Sequence, residues 1–419
     1  MSARRWLFDD DRAGRHDSHH GPNDPEQPVP AMKVLFVSSP GLGHLFPLIQ
    51  LAWAFCTNGH EVVIATAEHA SRAASCGLEV VDVAPDFSSV AVFEQVAKDN
   101  PDFTSTVATL PAVNLEEWAV QIAAVNRPLI DGLIALTDEF KPDLVVYEQG
   151  ATAGLIAAAW AGVPAIQRNH GALETREMHD AIAGFLTDLL DKYEIAATLP
   201  KRAVTIESFP PSMLVDREPE GWFMRWVSYG GGAVLNGWRS PGDRPQVAVT
   251  MGTIELQAFG LGAVESILAA AAQVPADFVL ALGDIDVAPL GELPPNVRSV
   301  GWVPLGRLFR DCTAVVHHGA GGTIMTAIDA GIPQLLAPDP RDMFQHSGRD
   351  AVRKLGIGLV STADQVSPGL INTLIEDEQL TAKTAVVRTE MLSLPSPAQT
   401  VQRILGEVCR AEFGSSGAR

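Results

Sequence analysis

The sequence predicts an α/β protein made of two doubly wound domains facing a cleft. Three observations carry this expectation. Short, continuous apolar runs rich in β-branched residues alternate with helically spaced apolar stretches, the pattern of a parallel sheet covered on both faces. That rhythm breaks once, at about residues 205–244, where FPPS, EPEG, YGGG and SPGDRP cluster proline and glycine as an interdomain linker does. The chain of 419 residues is also longer than one hydrophobic core comfortably serves, at roughly 150 residues per domain.

Taken in order, residues 1–31 carry no apolar period and many charged, histidine and proline residues, and are expected to form a disordered extension. An N-terminal domain spans 32–204. It opens with KVLFVSS, a glycine turn and the helical LFPLIQLAWAFCTNG, then continues through EVVIAT, EVVDV, DLVVYE and PAIQ as successive strands. The second series, 245–419, runs through VAVTMG, DFVLALG, VRSVGW, AVVHHG, PQLLAP and GLVS and closes with C-terminal helices. In such sheets ligands sit at the carboxyl ends of the strands, so the strand-to-helix turns are where chemistry is sought.

Composition narrows the function. Hydrophobic residues are 47% and charged residues 19%, a globular balance, and 30 Lys and Arg against 50 Asp and Glu give a net charge of −20. A surface that acidic repels nucleic-acid phosphates and anionic lipid, so neither nucleic acid nor membrane is expected as a partner. The four cysteines show no metal-ligand or disulfide spacing. No apolar run of about 18–20 residues and no apolar leader stand out, so a soluble cytoplasmic protein is expected.

Two turns carry candidate chemistry. HHGAGGT, His317 to Thr323, follows a buried strand and opens a helix; its glycines let backbone amides approach an anion at the positive helix end, and His318 and the Thr323 hydroxyl add donors. SSPGLGHLFPL places His44 just after the first strand, where an imidazole has the intrinsic pKa to take a proton from a hydroxyl near neutral pH. Such a base needs an orienting carboxylate. The pair Asp284 and Asp286 has a metal-binding spacing but reads better as a surface turn.

The string GWVPLGRLFRDCTAVVHHGAGGTIMTAIDAGIPQLLAPDPRDMFQHS, residues 301–347, resembles the family 1 glycosyltransferases of antibiotic pathways, including the calicheamicin-type enediyne enzymes. The likeness covers nearly all of the chain from Met32. It implies the GT-B fold and inverting transfer of a sugar from a nucleotide diphosphate to a small natural-product acceptor, with no metal and no cofactor besides the sugar nucleotide. It further implies that Trp302 stacks on the nucleobase, that the Val303 backbone meets the base edge, and that His318, Gly321, Gly322 and Thr323 cradle the diphosphate opposite Gly252 and Thr253. Asp342 would accept from sugar hydroxyls. His44 would be the catalytic base, with Glu148 standing where relatives usually place an aspartate.

Departures from the family pattern are informative. Leu305 and Thr326 replace the glutamine and glutamate that hold ribose hydroxyls in many UDP-sugar enzymes, which fits a dTDP-sugar. Met343 replaces a sugar-binding glutamine, which fits a deoxysugar. For the acceptor, the candidates are Phe93 and Trp118, within an aromatic-bearing stretch that also holds Phe103, and Asn169, His170 and Met178 after the fifth strand. The expected substrates are therefore a dTDP-deoxysugar and a polyketide or enediyne-type acceptor, in a chain compatible with a homodimer. The readings set against it are a UDP-sugar detoxifying transferase, a non-catalytic activator partner and a nucleotide-sugar epimerase.

Overall fold

The computed structural model describes residues 30–409 apart from 69, 100–114, 197, 216, 235–241, 253–255, 257–259 and 340–345. The first sheet contains β1 (Lys33–Val37), β2 (Glu61–Thr66), β3 (Glu79–Asp82), β4 (Leu144–Glu148), β5 (Ala165–Arg168), β6 (Val204–Glu207) and β7 (Trp222–Phe223). The second contains β8 (Gln246–Thr250), β9 (Asp277–Ala281), β10 (Val297–Val300), β11 (Ala314–His317), β12 (Gln334–Leu336) and β13 (Gly358–Val360). Every pairing is parallel. The central strands β4, β8 and β11 are buried at every residue, which is why they read as unbroken apolar runs.

Strand order places the site. It runs β3-β2-β1-β4-β5-β6-β7 in the first sheet and β10-β9-β8-β11-β12-β13 in the second, so direction reverses between β1 and β4 and again between β8 and β11. Those reversals open a crevice at the strands' carboxyl ends. His44 follows β1, Glu148 ends β4, Gly252 follows β8 and His318 follows β11.

The segment read as a linker, 205–244, begins with sheet structure. VTIE (β6) is buried throughout and pairs with β5, and WF (β7) extends the sheet by one more short strand. Gly221 permits that last pairing, because a Cβ there would lie 2.0 Å from the Thr205 carbonyl oxygen. The C-terminal helices also divide differently from the expected boundary. The helix Pro397–Ile404, opened by a capping box of Ser396 and Gln399, packs on Leu42–Thr57 of the first half. There Gln402 donates to Asn58, and the Arg403 guanidinium lies 3.8 Å from the Trp222 ring centre.

One expectation about apolar runs needs correction: within the helix Leu115–Phe140, Ala119–Phe140 is long and apolar enough to cross a membrane by length and composition. The fold gives that composition another role. Ala119, Ala123, Leu129, Ile130, Leu133 and Ile134 are buried in the core that also holds β1 and β4 residues.

Candidate active site

After β1 the chain turns at Gly41, whose φ of 125° suits glycine, and enters Leu42–Thr57, putting His44 in the first helical turn. Its Nδ1 lies 3.1 Å from Glu148 Oε2. Glu148 is fully buried, and its carboxylate is held from several sides. Oε1 accepts from the Ser39 backbone N–H at 3.2 Å and the Ser39 hydroxyl at 2.6 Å, while Oε2 also accepts from Gly150 N–H at 2.7 Å. Asn126 braces the following loop by donating to the Gly150 carbonyl at 2.9 Å and accepting from Ala153 N–H at 2.8 Å.

This geometry sets the protonation. With Nδ1–H directed at the carboxylate, the lone pair is on Nε2, and the side chain is 34% exposed, enough for a substrate to reach it. Burial disfavours the imidazolium, but the Glu148 charge and hydrogen bond outweigh it and raise the His44 pKa above its ordinary 6.5. Burial alone would raise the Glu148 pKa; His44, His170 and the Ser39 hydroxyl instead hold it far below the usual carboxylate range. His170 stacks edge-on to His44 at 4.6 Å with Nδ1 3.4 Å from the same carboxylate oxygen. Burial and the His44 charge push His170 down to about 3, so it is neutral at pH 7.

Among the described residues, His44, Glu148 and His170 are the one group of such side chains able to hold a metal ion, with ligand atoms within 4.8 Å of one another. Glu148 nevertheless already accepts N–H or O–H donors on both oxygens.

Across the crevice, His317 shapes the turn after β11. Its Nδ1 accepts from Gly319 N–H at 3.1 Å, so Nε2 carries the proton toward Gln334 Oε1 at 3.0 Å. His318 is buried, and burial together with His317 and Arg349 lowers its pKa to about 3, leaving a neutral imidazole. The helix Gly321–Ala330 that follows has Ala320 at its N-cap with no side-chain cap. Gly321 lies against the His44 side of the crevice: a Cβ there would come 2.5 Å from the His170 carbonyl oxygen. Gly322 faces Trp226, and Thr323 follows in the same first turn.

Gly252 meets His318 directly. It has a φ of 69°, and a Cβ would sit 2.6 Å from His318 Cε1 and 2.8 Å from Nε2. Gly252→Ala is therefore expected to displace the imidazole, and, if His318 meets a diphosphate as the family resemblance implies, to weaken nucleoside-diphosphate binding by about ten-fold or more, the worth of a hydrogen bond to a charged group. Calorimetric titration checks this, with circular dichroism verifying the fold.

Trp302 follows β10, is half-buried, and donates its indole N–H to the Gly230 carbonyl at 3.0 Å. Val303 and Leu305 pack their side chains against the apolar cluster around Phe309. Thr326 is buried, with its hydroxyl donating to the Gly322 carbonyl at 2.7 Å. Leu305 offers no polar group, and the Thr326 hydroxyl proton is taken up by the helix backbone. In the DID turn, Asp286 accepts from Ala288 N–H at 2.9 Å, the role of a turn former, while Asp284 pairs with Arg72.

Residues 53–252 match the N-terminal domain and 265–406 the C-terminal domain of the erythromycin biosynthesis protein CIII-like family. The chain is 33% identical over 379 residues to the elloramycin glycosyltransferase of Streptomyces olivaceus, covering 89% of this chain and 97% of that one. The chain belongs to the EryCIII-like glycosyltransferases. Another relative, the 3-alpha-mycarosylerythronolide B desosaminyl transferase of Saccharopolyspora erythraea, is 30% identical over 88% of this chain and 97% of its own. Among solved structures, the glycosyltransferase VinC in complex with dTDP superposes with a TM-score of 0.71 at 27% identity, covering 89% of this chain and 98% of VinC. The two-sheet architecture is the GT-B fold. Neither named relative is described as an enediyne enzyme, so that part of the expected likeness is not carried further.

Within this EryCIII-like glycosyltransferase, two acceptor candidates are corrected. Asn169 is fully buried, accepting from Gln167 at 2.6 Å and donating to Glu207 at 3.1 Å, so its amide holds strand ends together. Met178 is 1% exposed and part of the first core. His170 lies beside His44 instead, and Phe93 is exposed on the helix Ser89–Asp99. Trp118 falls on Leu115–Phe140, but its side chain, like Thr253, Asp342, Met343 and Phe103, lies outside the described residues. Sequence reasoning missed Ser39, Gly150 and Asn126. The doubled serine before the glycine turn was the available signal for the first of these.

Proposed function

We propose that this glycosyltransferase moves a deoxysugar from a dTDP-sugar to a hydroxyl of a polyketide acceptor, in the cytoplasm, by a single inverting displacement. The His44–Glu148 pair is the observation that carries the reading. His44 Nε2 takes the acceptor proton as the acceptor oxygen attacks the anomeric carbon from the face opposite the leaving group. The bond from that carbon to the diphosphate breaks as the new one forms, and dTDP departs with the electron pair. Glu148 stabilises the imidazolium through Nδ1–H, and Gly252, His318, Gly321, Gly322 and Thr323 supply donors to the developing charge. Thr253 is assigned to the same cradle, and Asp342 and Met343 to the sugar.

Several observations favour the dTDP-deoxysugar. Leu305 is packed in apolar contact and the Thr326 hydroxyl donates to a backbone carbonyl, so the amide and carboxylate that would grip a ribose 2′-hydroxyl are both missing there. VinC is described as bound to dTDP, and the erythraea relative as a desosaminyl transferase. For the acceptor, Phe93, Trp118 and His170 are the side chains assigned to it.

The proposal is tested by thermal unfolding with equal concentrations of dTDP, UDP and GDP, since a ligand binding only the folded state raises the midpoint with its affinity. dTDP is expected to give the largest rise. An equal or larger rise with UDP contradicts the donor assignment and points to a UDP-sugar transferase.

A further inference from the structure

The ring of Trp302, assigned to the nucleobase, carries a side chain from the other half of the molecule. The Arg72 guanidinium lies 4.2 Å from the centre of the Trp302 ring and is ion-paired with Asp284. Arg72 comes from the short helix Ala70–Ala74 after β2, whereas Asp284 follows β9 and Trp302 follows β10. The indole itself is fixed at its rim. Its N–H is held by the Gly230 carbonyl, the Phe46 ring stands edge-on at 6.2 Å, and a Cβ on Gly283 would lie 3.2 Å from its six-membered ring. Arg72 is held less firmly, since its side chain is 34% exposed and that of Asp284 64%.

A guanidinium is planar, delocalised and weakly hydrated, so it stacks on an indole much as a base does. We infer that Arg72 is part of the nucleobase site: its guanidinium covers the face of Trp302 on which the pyrimidine of a nucleoside diphosphate stacks, and base and guanidinium compete for it. This rests on Trp302 being the base platform. The competition links donor binding to the tie between the halves, because a base that displaces the guanidinium also draws Arg72 away from Asp284. Asp284 of the DID turn thereby holds Arg72 in the state that competes with the base.

The test is calorimetric titration of the full chain with dTDP, without acceptor. Arg72→Ala is expected to bind dTDP about three- to ten-fold more tightly, the worth of an exposed cation–π contact and ion pair removed from the competing state. Asp284→Asn, a surface change that loosens the pair but keeps the guanidinium, is expected to tighten binding by less. Arg72→Lys, whose ammonium cannot stack as a plane, is expected to fall between wild type and alanine. Unchanged affinity in Arg72→Ala overturns the inference, and weaker binding overturns it by showing a clamp. Trp302→Leu separates the underlying reading: dTDP affinity unaffected by that change removes the platform itself, whereas a large loss leaves it standing whatever Arg72 does.

Discussion

His44→Ala is expected to lower kcat/KM by about 10²- to 10⁴-fold, the usual contribution of a positioned general base. The loss should fall on kcat, because the imidazole acts when the acceptor proton leaves. The wild-type pH profile should have an acid limb above 6.5, since Glu148 raises the His44 pKa, and that limb should vanish in the variant. Steady-state rates from pH 5.5 to 9 with a fixed donor check both parts; a variant that keeps the limb would remove His44 from the reaction. Stability runs the other way. A raised histidine pKa contributes stability that is complete below 6.5 and is lost as pH rises through the folded value, while the depressed Glu148 pKa contributes stability above 4.5 that is lost on acidification. Both contributions are therefore present between 4.5 and 6.5, where the base is protonated and the reaction is slow.

Glu148→Gln is expected to cost about 10²- to 10⁴-fold in kcat, because the imidazolium formed in the reaction loses its counter-charge. The remaining activity should show its acid limb at lower pH than wild type, as burial of His44 is then opposed by no carboxylate. Folding should suffer as well. Ser39 N–H points to one oxygen and Gly150 N–H to the other, so either orientation of the new amide sets an N–H against an N–H. That leaves a buried donor unsatisfied, at about 1–3 kcal/mol. Urea denaturation beside the pH–rate profile separates the two effects, and a profile that shifts without loss of stability would contradict the buried-donor argument.

Eleven of the thirteen strands among the described residues could be read from the chain, because each is a short β-branched or apolar run bounded by turn residues, continuous where the strand is buried on both faces as in β4, β8 and β11. β6 and β7 could not: VTIE is followed by FPPS, and WF is two residues long, so each exists through its pairing with a neighbour. The same contrast divides the site. His44, Glu148, Gly252 and His318 stand at strand ends beside glycine turns, which is a local signal. The Ser39 and Gly150 donors depend on β1 lying beside β4, and the contact between Arg72 and Trp302 on two halves meeting. Nearness to a strand end does not fix which way a side chain points: Asn169 enters a polar brace and Met178 the core.

The return of the helix Pro397–Ile404 to the helix Leu42–Thr57 means that the backbone passes between the halves twice, once after β7 and once near Pro395, whose carbonyl accepts from the Arg225 N–H at 2.8 Å. Two bodies joined by a single strand can tumble about it in any direction. Joined by two strands that touch, the second half is an insertion entered and left at one place. His44 sits on the helix that receives the second crossing. The helix that carries His44 is therefore packed by a segment the chain reaches only after the second sheet is complete, so its support depends on the fold of the other half.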